Sequence, residues 1–301
     1  MVVISILGNS LVLLAVTATS WESRSISGSD LILAHLAAIN LLIVAFWNTL
    51  LFATQLGLEV LLSEACCRIF MFLWMLLRTM SAWATFCVSV FHYFNLRRTH
   101  PYFSRPGSSV WKVAKAIMAT WILNFLYSTP AFVYSTCRTE NTTFSLIFLS
   151  STTTRPLLGC VWNFPTPHIT LLYVSISMAI HEVLPILLMV ATNLCTLHHL
   201  KHHTRAIGVG LSSPHEAAKR RATKVILGLV LLFLACWGSN LLAVNYCNFA
   251  HGDSASSLIT LANFCGSLFL GLSPLVLLAG HSKLLQKLCS MISSCPCVIR
   301  N

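Results

Sequence analysis

Acidic residues are nearly missing from this sequence. Eight Asp and Glu stand among 301 residues, against nineteen Lys and Arg, and charged residues of both signs total 9%. A soluble domain carries roughly 25% charge. So few charges cannot clothe a water-facing surface, and the mean hydropathy of +0.77 points to lipid as the solvent. The scarcity of acids also argues against hydrolytic catalysis, which needs a pair of placed titratable groups. No Gly-rich phosphate loop and no His-Glu-x-x-His stretch occurs. The twelve cysteines are scattered without metal-ligand spacing; Cys66-Cys67 and Cys295-Pro296-Cys297 are too isolated for a four-ligand zinc site. No metal and no cofactor is expected. No internal repeat is visible, which disfavours a small transporter or channel built from matched halves.

Long apolar runs are what the sequence has instead. A membrane helix takes roughly 20 mainly apolar residues, and seven such runs occur, at about 1–19, 31–54, 69–94, 113–134, 169–198, 225–249 and 258–280. The expected architecture is an all-α membrane protein, one seven-helix domain followed by a tail over 281–301. Only eight residues precede Asn9, and helix 1 is expected to lack its outer end.

The segments between runs give a direction. Linkers after helices 2, 4 and 6 hold three basic residues (Arg68, Arg138, Arg155) and four acids (Glu59, Glu64, Glu140, Asp253). The other linkers, their flanks and the tail hold fifteen basic residues. Positive charge stays on the cytoplasmic side, so the N-terminus is expected outside and the C-terminus inside. A basic chain can also bind nucleic acid, but basic residues placed between apolar runs suit orientation and contact with anionic lipid better; no nucleic-acid partner is expected. Asn141-Thr142-Thr143 is an N-glycosylation sequon in the longest outside linker. Cys67 and Cys160 also fall outside, where cysteines pair. A Cys67–Cys160 bridge is expected, Cys67 being favoured over Cys66; free buried thiols are the alternative.

Several motifs narrow the class. Helix 1 carries Leu7-Gly8-Asn9-Ser10, and helix 2 opens with Asp30-Leu31-Ile32-Leu33-Ala34-His35-Leu36-Ala37 and continues to Asn40. Helix 3 ends with Cys87-Val88-Ser89-Val90-Phe91-His92. The third inside loop carries Leu211-Ser212-Ser213-Pro214-His215-Glu216-Ala217 and then Arg221-Ala222-Thr223-Lys224, and helix 7 carries Leu272-Ser273-Pro274. Over essentially its whole length the chain resembles the vomeronasal type 1 receptors, and within them the fish olfactory receptors called class A-like. That resemblance implies a chemosensory G-protein-coupled receptor for an odorant or pheromone. It would sit in the plasma membrane of sensory neurons and act through an inhibitory or Go-type G protein. Bitter taste receptors share the Ser89-Val90-Phe91 region and are the nearest rival, though the third-loop motifs fit them poorly. The chain departs from most rhodopsin-like receptors: His92-Tyr93-Phe94 replaces Asp-Arg-Tyr, helix 7 lacks Asn-Pro-x-x-Tyr, and helix 6 has Cys236-Trp237 without a proline. Helix 7 holds no lysine for a retinal Schiff base.

Charges at membrane depth cost about 2.5–3.5 kcal/mol each, so each wants a reason. Arg78 lies within helix 3, and Glu182 lies beside His181 within helix 5. These are the candidate ligand-binding residues: Arg78 for a carboxylate or polarised oxygen, His181 and Glu182 for a hydroxyl or amine. The competing expectation is a salt bridge that only locks helix 3 to helix 5. Asn9 and Asn40 are expected to hydrogen-bond across helices 1 and 2. On the inside face, Arg97, Arg98, Lys219, Arg220, Arg221 and Lys224 are expected to face the G protein. Cys289, Cys295 and Cys297 are candidates for palmitoylation. His198, His199, His202 and His203 read as a solvated cluster rather than a metal site.

Overall fold

The protein is described from a computed structural model, which covers residues 2–48, 62–97, 106–137, 160–207, 223–225, 227–239, 242 and 255–280. Seven helices and one small hairpin make up these residues. Helix α1 is Val2–Ser23. Helix α2 is Gly28–Ile43 and runs on through a π turn, Val44–Asn48. Helices α3, Glu64–Arg97, and α4, Pro106–Val133, follow. Strands β1, Ser135–Cys137, and β2, Cys160–Trp162, pair antiparallel. Helix α5 is Pro167–Met178, a π turn at Ala179–Val183, and Leu184–Ile207. Helices α6, Thr223–Ser239, and α7, Ala255–Gly280, complete the bundle.

Local chemistry sets several boundaries. Arg24 adopts a left-handed φ of 49° and ends α1. Ser27 then caps α2, its Oγ accepting the Asp30 N–H at 3.1 Å and donating to Asp30 Oδ2 at 2.6 Å. This cap starts α2 three residues ahead of the apolar run, because a capped turn can be polar. Thr166 caps α5 in the same way, with Pro167 in the first turn, where a missing N–H costs nothing. Helix α3 begins at Glu64, ahead of its apolar run, and an Arg68–Glu64 ion pair at 2.6 Å occupies that extra turn.

Among the described residues, five helices are long and apolar enough to cross a bilayer. Their burial differs sharply. In α3, 72% of the apolar window is buried, against 17% in α4. Helix α3 is therefore the hub, packed on α2, α4, α5 and the hairpin. Helix α4 turns Trp111, Met118, Ile122, Leu123, Phe125 and Leu126 outward. An apolar face of that size, on a helix of bilayer length, fits contact with lipid.

A polar seam ties α1, α2 and α7 together. Pro274 has no N–H, so the Leu270 carbonyl one turn earlier loses its helical donor. Two α1 side chains supply replacements: Ser5 Oγ at 2.8 Å and Asn9 Nδ2 at 3.2 Å. Asn40 Nδ2 donates to Asn9 Oδ1 at 3.4 Å and to Ser273 Oγ at 3.1 Å. The expected Asn9–Asn40 contact is thus one part of a three-helix network. A second polar contact, Trp121 Nε1–H to His35 Nε2 at 2.9 Å, joins α4 to α2.

Candidate functional site

Arg78 lies roughly 21 Å along α3 from Glu64 at 1.5 Å per residue, near the middle of the helix. Its Nη2 meets Glu182 Oε1 of α5 at 2.6 Å. The two side chains are 5% and 14% exposed, so the pair is screened little by water. The guanidinium also lies over the indole of Trp237 on α6, with Cζ 4.9 Å from the ring centroid. One α3 side chain thereby holds both α5 and α6.

The π turn at Ala179–Val183 explains how α5 reaches α3 with two neighbouring side chains. A π turn fits an extra residue into one turn and is common at functional sites. Here Glu182 faces Arg78, while His181 receives the Trp83 Nε1–H at 3.2 Å. Accepting through Nδ1 requires that nitrogen to be unprotonated. Tyr127 of α4 lies against the same imidazole, with centroids 3.9 Å apart. The rings continue toward the disulfide end of the bundle: Tyr127 stacks on Tyr173, which touches Trp162 and Phe164 beside β2.

A cavity of about 20 Å³ adjoins the ion pair. Met75, Thr79, Ala82, Ser177, Ile186 and Phe233 complete its wall with Arg78, His181, Glu182 and Trp237. That volume admits one water or so, far below the roughly 300–1,000 Å³ of a drug-sized ligand pocket. The ion pair fills the space where α3, α5 and α6 converge, and enlarging the site means parting them.

The disulfide joins Cys67, near the start of α3, to Cys160 of β2. Cys66 is a free, exposed thiol. At the opposite end of the bundle, His92 Nε2 and Thr223 Oγ1 lie 3.3 Å apart and join α3 to α6. Lys224 is exposed beside Thr223. Arg97 closes α3, and its side chain lies outside the described residues, as do Arg98, Lys219, Arg220, Arg221, Asn141, Cys289, Cys295 and Cys297. Among the described residues no cluster of three His, Cys, Asp or Glu side chains is placed to hold a metal.

Charge and depth brought Arg78, His181 and Glu182 forward from the sequence. Nothing in the sequence singles out Trp237, Trp83 and Tyr127 as site residues, because aromatics are common in any membrane bundle.

Comparison with known proteins agrees with this architecture. The family described as "7 transmembrane receptor (rhodopsin family)" matches residues 8–276. "Olfactory receptor class A-like protein 4" of Danio rerio is 42% identical, over 96% of this chain and 87% of that protein. "Taste receptor type 2 member 7" of Pongo pygmaeus and of Gorilla gorilla gorilla are each 26% identical, over 80% of this chain and 75% of theirs. The altered helix 3 and helix 7 motifs therefore mark divergence inside the family rather than separation from it. The chain belongs to the rhodopsin-family seven-transmembrane receptors.

Proposed function

We propose that this receptor is chemosensory, of the vomeronasal type 1 kind, and that its ligand is a small organic molecule competing for the Arg78–Glu182 pair. The observation that carries this reading is the pair itself, buried mid-bundle and capped by Trp237. A ligand bearing a polar group replaces one partner of the pair and draws the guanidinium away from α5 and α6. Differential affinity for that rearranged state shifts the equilibrium toward it. The ligand enters the outer half of the bundle past Tyr173 and Tyr127. On this reading the N-terminus and the disulfide end face outward. The basic end, with Lys224 and the flanking arginines, receives a heterotrimeric G protein of the inhibitory or Go type. The cell is a sensory neuron of an olfactory or vomeronasal epithelium, and the receptor sits in its plasma membrane. The olfactory-type relative, at 42% identity against 26% for the taste receptors, supports this over a bitter-taste reading.

The test is a second-messenger assay in transfected cells against a panel of small acids, amines and steroids. At least one class is expected to give a response that pertussis toxin abolishes. An Arg78→Ala receptor that reaches the surface and answers the same agonist with unchanged potency contradicts the pocket role.

A further inference from the structure

We propose that Cys137 is an exchange partner of the Cys67–Cys160 disulfide, so that the bridge exists in two isomers. The inference rests on three sulfurs gathered at one point. Cys137 lies directly across the β ladder from Cys160. Its Sγ is 3.5 Å from Cys67 Sγ and 3.0 Å from the Leu62 carbonyl oxygen, so its S–H can donate to either. Cys137 is free, while the bonded sulfurs belong to fully buried residues, Cys67 at 0% and Cys160 at 1% exposure. External thiols cannot reach that bridge. Cys137 is already beside it and is only partly buried.

The step is an isomerisation and needs no oxidant. Cys137 loses its proton, and the thiolate attacks Cys67 Sγ. The Cys137–Cys67 bond forms as the Cys67–Cys160 bond breaks. The electron pair leaves on Cys160 Sγ, which takes up a proton. One disulfide and one thiol stand on each side of the step.

The isomers tether different helices. The Cys67–Cys160 bond ties the start of α3 to β2, which leads through Thr166 into α5. The Cys67–Cys137 bond ties it instead to β1, which continues from the end of α4. Exchange thus releases the segment before α5 from α3, without cutting α3 off from the hairpin.

Peptide mapping of the full-length receptor in detergent tests this. The protein is held at neutral or at mildly alkaline pH, where thiolates form, then quenched in acid and alkylated. The expected result is a Cys67–Cys137 peptide beside the Cys67–Cys160 peptide, with matching alkylation at Cys160, the two isomers equilibrating faster at the higher pH. In Cys137→Ser, the Cys67–Cys160 peptide is expected alone at both pH values. In Cys160→Ser, Cys67 and Cys137 are expected to be bonded and protected from alkylation. Two outcomes overturn the proposal: Cys137 alkylated throughout with only Cys67–Cys160 found, or a fixed Cys67–Cys137 bond with Cys160 never bonded. The wild-type measurement decides even where a variant folds poorly.

Discussion

Gly8 of α1 lies against the ring of Pro274 on α7, so closely that a Cβ at position 8 would sit 2.7 Å from Pro274 Cγ. The proline does two things to its neighbour helix. Its ring demands a glycine opposite, and its missing N–H frees the Leu270 carbonyl for Ser5 and Asn9. The short Gly-Asn of helix 1 and the Ser-Pro of helix 7 are two halves of one contact.

Gly8→Ala is therefore expected to destabilise the receptor by about 1–3 kcal/mol, the usual cost of forcing a methyl into a packed site. The measurement is thermal stability in detergent, with cell-surface yield alongside. Adding Pro274→Ala, which removes the opposing ring, is expected to recover part of the loss. A Gly8→Ala receptor as stable as the parent contradicts the contact.

The Leu270 carbonyl gives a coupled prediction. Ser5→Ala removes a bond worth about 0.6–2 kcal/mol in a membrane bundle. In a Pro274→Ala background the carbonyl regains a helical N–H donor, so Ser5→Ala should cost less there. A double-mutant cycle on unfolding free energy reads the difference. Strict additivity contradicts the idea that the proline is what recruits Ser5.

At the other end of the bundle, His92 and Thr223 join α3 to α6. Thr223→Val keeps the shape and removes the hydroxyl. A lost hydrogen bond of about 0.5–1.5 kcal/mol is expected to raise ligand-independent signalling by roughly two- to tenfold, on the proposal that α6 parts from α3 in the signalling state. Basal second-messenger level, normalised to surface receptor, checks it. Basal signalling equal to or below the parent's argues that the contact does not restrain α6.

Much of this arrangement was legible because lipid simplifies the code. A mainly apolar run of bilayer length has few options other than a spanning helix, so α1, α3, α4 and α5 stand out by hydropathy even where one charge interrupts the run. The same scarcity of charge isolated Arg78 and Glu182. Helix starts were less legible: Ser27 and Thr166 begin α2 and α5 by capping chemistry that hydropathy does not register. Pairings made by geometry alone could not be read at all. Trp237 over Arg78, Trp83 on His181 and Cys137 beside Cys67 each depend on how helices rotate about their axes. The π turn in α5 changes that rotation locally, and nothing in Ala179-Ile180-His181-Glu182-Val183 announces it.

His181 offers a finer test of the site. Trp83→Phe keeps an aromatic ring and removes the N–H that holds the imidazole. The buried Nδ1 then lacks that donor, a loss of about 1–3 kcal/mol, and the ring is free to turn. Agonist potency is expected to fall by about tenfold while surface expression stays near the parent's. Unchanged potency would detach His181 from ligand recognition.

The central claim is that the Arg78–Glu182 pair is where ligand binds, and reciprocal exchange tests it most directly. Removing either partner alone leaves a buried charge and costs about 3–5 kcal/mol, so Arg78→Glu and Glu182→Arg are each expected to reach the surface poorly. The double variant restores opposite charges between α3 and α5. Its surface expression is expected to recover, while agonist potency shifts by tenfold or more, about 1.4 kcal/mol, and the order of acids and amines changes. Recovered expression with the parent's potency for every agonist would make the pair a structural lock alone and contradict the account.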